Sequence, residues 1–498
     1  MNIHKLSFSI LSLVLILGSG CSKYLNVNDD PDRANDQNIT PELIFTNAAN
    51  NVGGYQVGPA FLQSWVGYWS NSNTFAIQQD QTAYNFSNTF STGLWSTPYD
   101  ILFDLYLIKK KALAKANPSL AYTADILSVK MWQDLVDIYG NAPYSKAFQN
   151  DKYTQPAYDK ASDIYDSLQL KLDTAIAEIK AITAVPSSFV AVDIVNGGNM
   201  TKWVKFANTL KLRLLIRKSE VAGFNPATEI AKILANGGCL KTGETVSVNP
   251  GYSDAVGKQS PFYGAYGFTP TATDANTSMV PNAYIVGILK TNLDTNRLKR
   301  FFSLPGRSKT NLNLNGVPAS SIVGTAYGAA TGQPPASDIF GPGLAGSPTQ
   351  NQWIMTSVES MFLQAEAIQR GWMPGDPYTA YRSAVKESFL WLGADTTYLA
   401  NYLNTPIASW TASTPKVKLI GYQKYIALCG IDAFEAWADI RRISPQPNTG
   451  YISVNPARIS NTLPVRLFYP SSEYVSNAAN ANAQGTINVF TSKIFWQP

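Results

Sequence analysis

A chain of 498 residues with 45% hydrophobic and 12% aromatic content has ample material for a packed core, yet only 15% of it is charged. That is well below the roughly 25% of a typical soluble domain. Its one histidine, His4, lies at the extreme N-terminus, so the rest of the chain can build neither a Ser-His-Asp or Cys-His triad nor a His-ligated zinc site.

The chain opens MNIHKLSFSILSLVLILGSGC. Lys5 precedes an apolar stretch from Leu6 to Leu17, and the small residues Gly18, Ser19 and Gly20 precede Cys21. Twelve helical residues rise roughly 18 Å, too short for a bilayer core of about 30 Å. The pattern predicts an export signal over residues 1–20. Cys21 then becomes the lipid-bearing first residue of the mature protein, as at a bacterial lipobox, although Leu17 stands one position further from the cysteine than is usual. Residues 21–498 are expected to form a single body, at most tethered to a membrane. Without Lys5 the balance is 38 basic against 34 acidic residues, and no Lys/Arg run marks a nucleic-acid partner. Cys239 and Cys429 have no metal-knuckle or redox spacing.

Helical signals follow in order. Thr40 is placed as an N-cap before Pro41. Helices are expected near 98–116 and 119–139, and over 156–176 with Asp159 as cap and Ile164, Leu168, Leu172 and Ile176 on one face. Others fall near 201–219, 226–236, 376–392 and 415–442, and Thr356 with Glu359 forms a capping box for a helix ending at Gly371. Short polar connectors predict a mostly α fold of antiparallel helix pairs. Two regions break the pattern, Leu43 to Tyr99 and about 240–352. In the first the only charged side chain is Asp80, and the second half of the other, residues 303–352, holds eight Gly and six Pro against three charges. Long irregular segments in compact proteins tend to be functional.

The first region joins planar rings to neutral amides, a combination suited to an uncharged polar ligand such as an oligosaccharide. Trp65, Trp69, Phe75 and Tyr84, with Asn71, Asn73, Gln78 and Asp80, are candidate contacts. The competing reading is core, because Phe61, Trp65, Tyr68 and Trp69 also fit i, i+4, i+7, i+8 spacing. A second patch, YSDAVGKQSPFYGAYGF at 252–268, offers Tyr263 and Tyr266 from what its glycines predict to be loops or strands, the competing reading being a small cluster that anchors a loop. Glu435 with Asp439, and Glu359 with Glu366, are the carboxylate pairs a helical glycosidase would need, but they read more simply as ion pairs and caps. The acidic LNVNDDPD at 25–32 lacks the glycine and distal glutamate of a calcium loop. With no phosphate-loop or GxGxxG motif either, neither a metal nor a cofactor is expected.

Six stretches in fixed order resemble the SusD/RagB family of outer-membrane lipoproteins. They are MWQDLVDIYGNAPYSKAF (131–148), PAYDKASDIYDSLQLKLDTAI (156–176), TKWVKFANTLKLRLLIR (201–217), ESMFLQAEAIQRGW (359–372), YQKYIALCGIDAFEAWADIRR (422–442) and LPVRLFYPSSEYVSNAAN (463–480). The resemblance implies four helix pairs like tetratricopeptide repeats and a loop-rich ligand-binding face, placed here at about 60–95 and 240–352. It also implies a non-enzymatic surface protein, lipid-anchored in the outer membrane, that captures oligosaccharides as the lid of a SusC-type TonB-dependent transporter. Some relatives serve peptide uptake, which leaves peptide as the alternative ligand. Trp132, Trp203, Arg213, Trp437 and Arg442 fall in the matched stretches as packing or ion-pair residues. Ligand contacts vary across the family, so none is carried over.

Overall fold

A computed structural model describes residues 39–72, 78–304, 308–310, 318–329 and 337–498. The export segment, Cys21, Asn73 and Phe75 lie outside the described residues.

Helix α1 (Pro41–Tyr55) starts where Thr40 Oγ1 accepts the Leu43 N–H and Pro41 occupies the first turn. The longer helices that follow come as consecutive pairs. These are α2 (Gly93–Ala114) with α3 (Pro118–Tyr139), α4 (Ala161–Ala181) with α5 (Met200–Arg217), α6 (Ser357–Gln369) with α7 (Pro377–Leu392), and α8 (Lys416–Ala427) with α9 (Ala433–Ile443). The members of each pair pack on one another, and α3 on α4, α5 on α6 and α6 on α8 join pair to pair. Between α2 and α3 only residues 115–117 are available, so the chain reverses within one turn. Ala116 adopts φ +51° there, and Asn117 caps α3 by accepting the Leu120 N–H at 3.2 Å. This is the expected tetratricopeptide-like architecture.

Three boundaries differ from the sequence reading. α2 begins at Gly93, with Pro98 inside the helix at a buried position. Asp159 does not cap α4. Its carboxylate instead accepts the Tyr144 and Ser145 N–H groups at 2.9 and 2.7 Å and ties down the loop after α3. The expected helix at 415–442 is two helices, because Gly430 turns the chain at φ +70°, where a Cβ would also approach Leu344 to 2.6 Å. Asp432 then restarts the helix by accepting the Glu435 N–H at 3.0 Å.

The irregular regions are stitched by two short antiparallel ladders, β1 (Trp69–Asn71) with β3 (Met279–Pro281), and β2 (Val246–Val248) with β4 (Gln352–Met355). Both ladders join segments far apart in sequence, and the first ties the region after residue 240 to the N-terminal third of the protein.

Within the scaffold, an ion network crosses the helix pairs. Lys130 meets Asp134 at 2.6 Å, and Arg213 reaches Asp134 at 3.1 Å and Glu435 at 2.9 Å. Arg217 binds Asp137 at 2.9 Å, Lys424 binds Asp439 at 3.0 Å, and Arg442 grips Glu366 at 2.6 and 2.8 Å. All these side chains are buried. Burial opposes the charge of Glu435, but Arg217, Lys424 and Arg213 hold its carboxyl well below the usual range. Arg442 also lowers the Glu366 carboxyl, against its burial. Glu359 differs: burial, opposed by Arg213 and reinforced by Glu435 and Asp432, pushes it up to about 7. The carboxylate pairs weighed as glycosidase groups are thus engaged with arginine and lysine inside the scaffold. Of the two cysteines in the described residues, neither forms a disulfide, and both are buried. Among the described residues no helix is long and apolar enough to cross a membrane.

Candidate functional site: a trough at residues 80–91

The chain after β1 re-enters the described structure at Gln78, forms a helical turn over Gln79–Thr82 and reverses at Tyr84 with φ +56°. A second non-glycine residue of positive φ, Ser91 at +50°, closes the segment before α2. Such conformations persist only where neighbours enforce them, and they concentrate at binding sites. The neighbours are the C-terminal loops. Ser453 donates its N–H to the Tyr84 hydroxyl at 2.9 Å, and Asn455 Nδ2 donates to Gln79 and Thr82 at 2.9 and 2.8 Å. Ile459 and Ser471 donate N–H groups to the carbonyls of Ala83 and Asn88, each at 2.9 Å.

A cleft of about 550 Å³ lies along this segment, within the range of ligand clefts. Phe86 and Phe90 are half-buried in its wall, 4.6 Å apart between ring centroids. Around them stand the amides of Gln81 and Asn85, the hydroxyls of Ser87, Thr89 and Ser91, and the carboxylate of Asp80, the only charged group in the lining. Asp80 Oδ1 accepts the Gln81 N–H at 2.8 Å, which orients the carboxylate. Apolar ring faces beside neutral donors and acceptors can pack against sugar C–H faces while bonding hydroxyls.

The sequence-predicted residues divide sharply. Asp80 lines the trough, and Gln78 is exposed two residues before it. Trp65 and Tyr84 are fully buried, so neither presents a face to a ligand. Trp65 instead forms the layer beneath: its ring is stacked on Phe90 at 6.2 Å and 14°, and it lies 5.6 Å from Phe86. Its indole N–H is spent on the Gln81 carbonyl at 3.2 Å. Trp69 is also fully buried, edge-on to Tyr266 at 4.7 Å. Asn71 is half-buried at the end of β1, and its Oδ1 is enclosed without a hydrogen-bond partner among the described residues.

The second patch is likewise corrected. Pro261–Tyr266 is a short helix rather than a loop, and Tyr263 and Tyr266 are 3% and 6% exposed. Tyr263 packs edge-on to Phe340 at 5.4 Å. Pro261 at the first turn starts this helix despite Gly264, and the rings turn inward because the loop-rich region needs a core of its own. Of the rings in that stretch, Tyr252 lines a cleft with Lys258 and Gln259, and its hydroxyl donates to Asn50 Oδ1 at 2.6 Å. Phe86, Phe90 and the polar residues between them were not singled out from sequence. Their usable signal was spacing: Phe86 and Phe90 sit four apart amid Ser, Asn and Thr, with no other apolar residue between them.

No curated protein matches the chain by sequence. Among solved structures, a chitin-binding protein shares 25% identity with a TM-score of 0.72, covering 92% of this chain and 99% of its own. A chitin-binding SusD homologue from Flavobacterium johnsoniae shares 24% identity with a TM-score of 0.75, over 92% and 98% of the two chains. A SusD homologue from Bacteroides fragilis shares 20% identity with a TM-score of 0.71, over 92% and 99%. The SusD-like family model described as "Starch-binding associating with outer membrane" matches residues 34–470. With that match over most of its length, and with the helix pairs and loop-rich face in place, the chain belongs to the SusD-like family.

Proposed function

We propose that the protein captures oligosaccharides in the trough at residues 80–91 and passes them, without chemistry, to a SusC-type TonB-dependent transporter for which it serves as lid. The observation that carries this reading is the Phe86–Phe90 pair, set among neutral amides and hydroxyls with a single carboxylate. Family membership supports glycan binding at the outer membrane. The names of two structurally similar proteins point to chitin oligosaccharides, and the family description points to starch. On this reading residues 1–20 direct export, Cys21 carries the lipid that anchors the protein on the outer face of the outer membrane, and residues 21–498 form one SusD-like body.

Stacking and hydrogen-bond contacts of about 1 kcal/mol each sum to micromolar-to-millimolar affinity, weak enough for release to the transporter. The test is calorimetry on residues 22–498 with maltoheptaose, a chitin hexasaccharide and a neutral hexapeptide. At least one glycan is expected to bind. Replacing Phe86 and Phe90 together by Ala should weaken that binding about tenfold and leave the helical circular dichroism unchanged. Unchanged affinity would remove the trough from the ligand path. Peptide binding without glycan binding would favour peptide uptake, and release of new reducing ends would overturn the non-catalytic reading.

A further inference from the structure

A second group of rings gathers around Phe148. This residue has φ +62°, a conformation that a phenylalanine keeps only when its surroundings impose it. Its ring lies 6.1 Å from Tyr99, 5.8 Å from Phe103 and 5.7 Å from Tyr106. Beside it, a cleft of about 330 Å³ opens between the first turns of α2, the loop after α3 and the helix Ser471–Ser476. Tyr99 and Phe148, both half-buried, form its apolar wall with Trp95 buried behind them, and Asp100 and Glu473 bring two carboxylates to it. No lysine or arginine is in the lining.

Glu473 is held in place. Its Oε2 accepts the Tyr158 hydroxyl at 2.7 Å and the Asn477 amide at 3.4 Å. One turn along α2 from Asp100, the carboxyl of Asp104 is pushed up first by burial and then by the charge of Asp100. Aromatic faces and carboxylates attract the same partner, a cation. The trough, with one carboxylate, has no comparable feature.

We infer that this cleft is a second carbohydrate site, selective for an amino sugar whose ammonium group lies against Asp100 and Glu473 while its ring covers the aromatic wall. The hydroxyls of Ser96, Thr154 and Ser472 at the rim match the hydroxyls of a sugar better than the bare methylene stem of a lysine side chain. The choice of a sugar rests on the glycan-capture reading, whereas the selection for positive charge stands on the cleft alone.

Calorimetry on residues 22–498 compares a glucosamine trimer, its N-acetylated counterpart and trilysine. The glucosamine trimer should bind about tenfold more tightly than the acetylated one, with the preference shrinking in high salt. Combining Asp100→Asn with Glu473→Gln should abolish that preference with an unchanged circular dichroism spectrum, whereas replacing Phe86 and Phe90 by Ala should preserve it. Equal affinity for the two sugars, a preference that survives the double charge substitution, or tighter binding of trilysine would each overturn the assignment. Neutral glycans bound through Phe86 and Phe90 with no glucosamine preference would sink this inference alone. Absence of binding by any glycan would sink the capture reading with it.

Discussion

Between α3, α5, α8 and α9, Arg213, Arg217 and Lys424 lie buried against Asp134, Asp137, Glu435 and Asp439. Along the trough from Asp80 to Ser91, by contrast, one carboxylate stands among amides and hydroxyls, with rings set into the wall and a further ring beneath. The scaffold puts charge inside; the face puts neutral polarity outside. A chain with few charges has therefore committed many of them where no ligand can reach. Buried ion pairs are a poor source of net stability but discriminate strongly against misalignment, since one missing partner strands a charge. This network fixes how the helix pairs sit against each other, and so fixes the frame from which the face is hung.

The sharpest way to break that contrast is Arg442→Met, which leaves buried Glu366 with Arg370 alone and Asp439 with Lys424 and should cost about 3 kcal/mol or more, read as a large drop in melting temperature. A loss under about 1 kcal/mol would mean the network is solvated rather than structural. Trp65→Ala should cost about 3 kcal/mol through the cavity it leaves and weaken glycan binding by removing the backing of Phe90. Weaker binding with an unchanged melt would return Trp65 to the ligand surface. Glu359→Gln acts through pH. Because the native carboxyl titrates near 7 and the unfolded one near 4.5, the native state holds more protons across that interval, and wild-type stability falls as pH rises through it. The variant lacks this slope, so melts at pH 5 and pH 8 should show a relative gain at the higher pH of about 2 kcal/mol. The smallest effect belongs to Asp80→Asn, which keeps an acceptor in place. Affinity should fall about two- to fivefold with no change in melting, and a larger loss would give the trough an electrostatic character.

The scaffold was legible because its signals are local. Thr40, Thr356 and Pro41 mark helix starts by rules that act within one turn, and Leu168 and Leu172 declare a face by their spacing. Where the reading slipped, a local signal lost to a distant one. Asp159 has the chemistry of a cap, but the loop carrying Tyr144 and Ser145 offers it two backbone donors instead. The site was half legible. Composition located the segment and Asp80 within it, but a tryptophan reads the same whether it floors a cleft or lines one. Burial ordered Trp65 behind Phe90, and burial depends on the C-terminal loops packed over residues 79–88, which no window around Trp65 contains. The glycines of 252–268 likewise hid a helix whose rings serve an inner cluster reaching Phe340.

Those C-terminal loops have a consequence for how the protein becomes functional. The partners that hold the trough wall are separated from it by 369 residues for Ser453 and Tyr84 and by 376 for Asn455 and Gln79. Contacts of such range form late, because closing so long a loop costs entropy before any bond compensates. The α2–α3 hairpin can form from a continuous stretch of chain, but the trough cannot exist until nearly the whole polypeptide has been delivered. A chain interrupted before residue 450 would keep helix pairs and lack a binding wall, so binding competence reports on completion of the entire molecule.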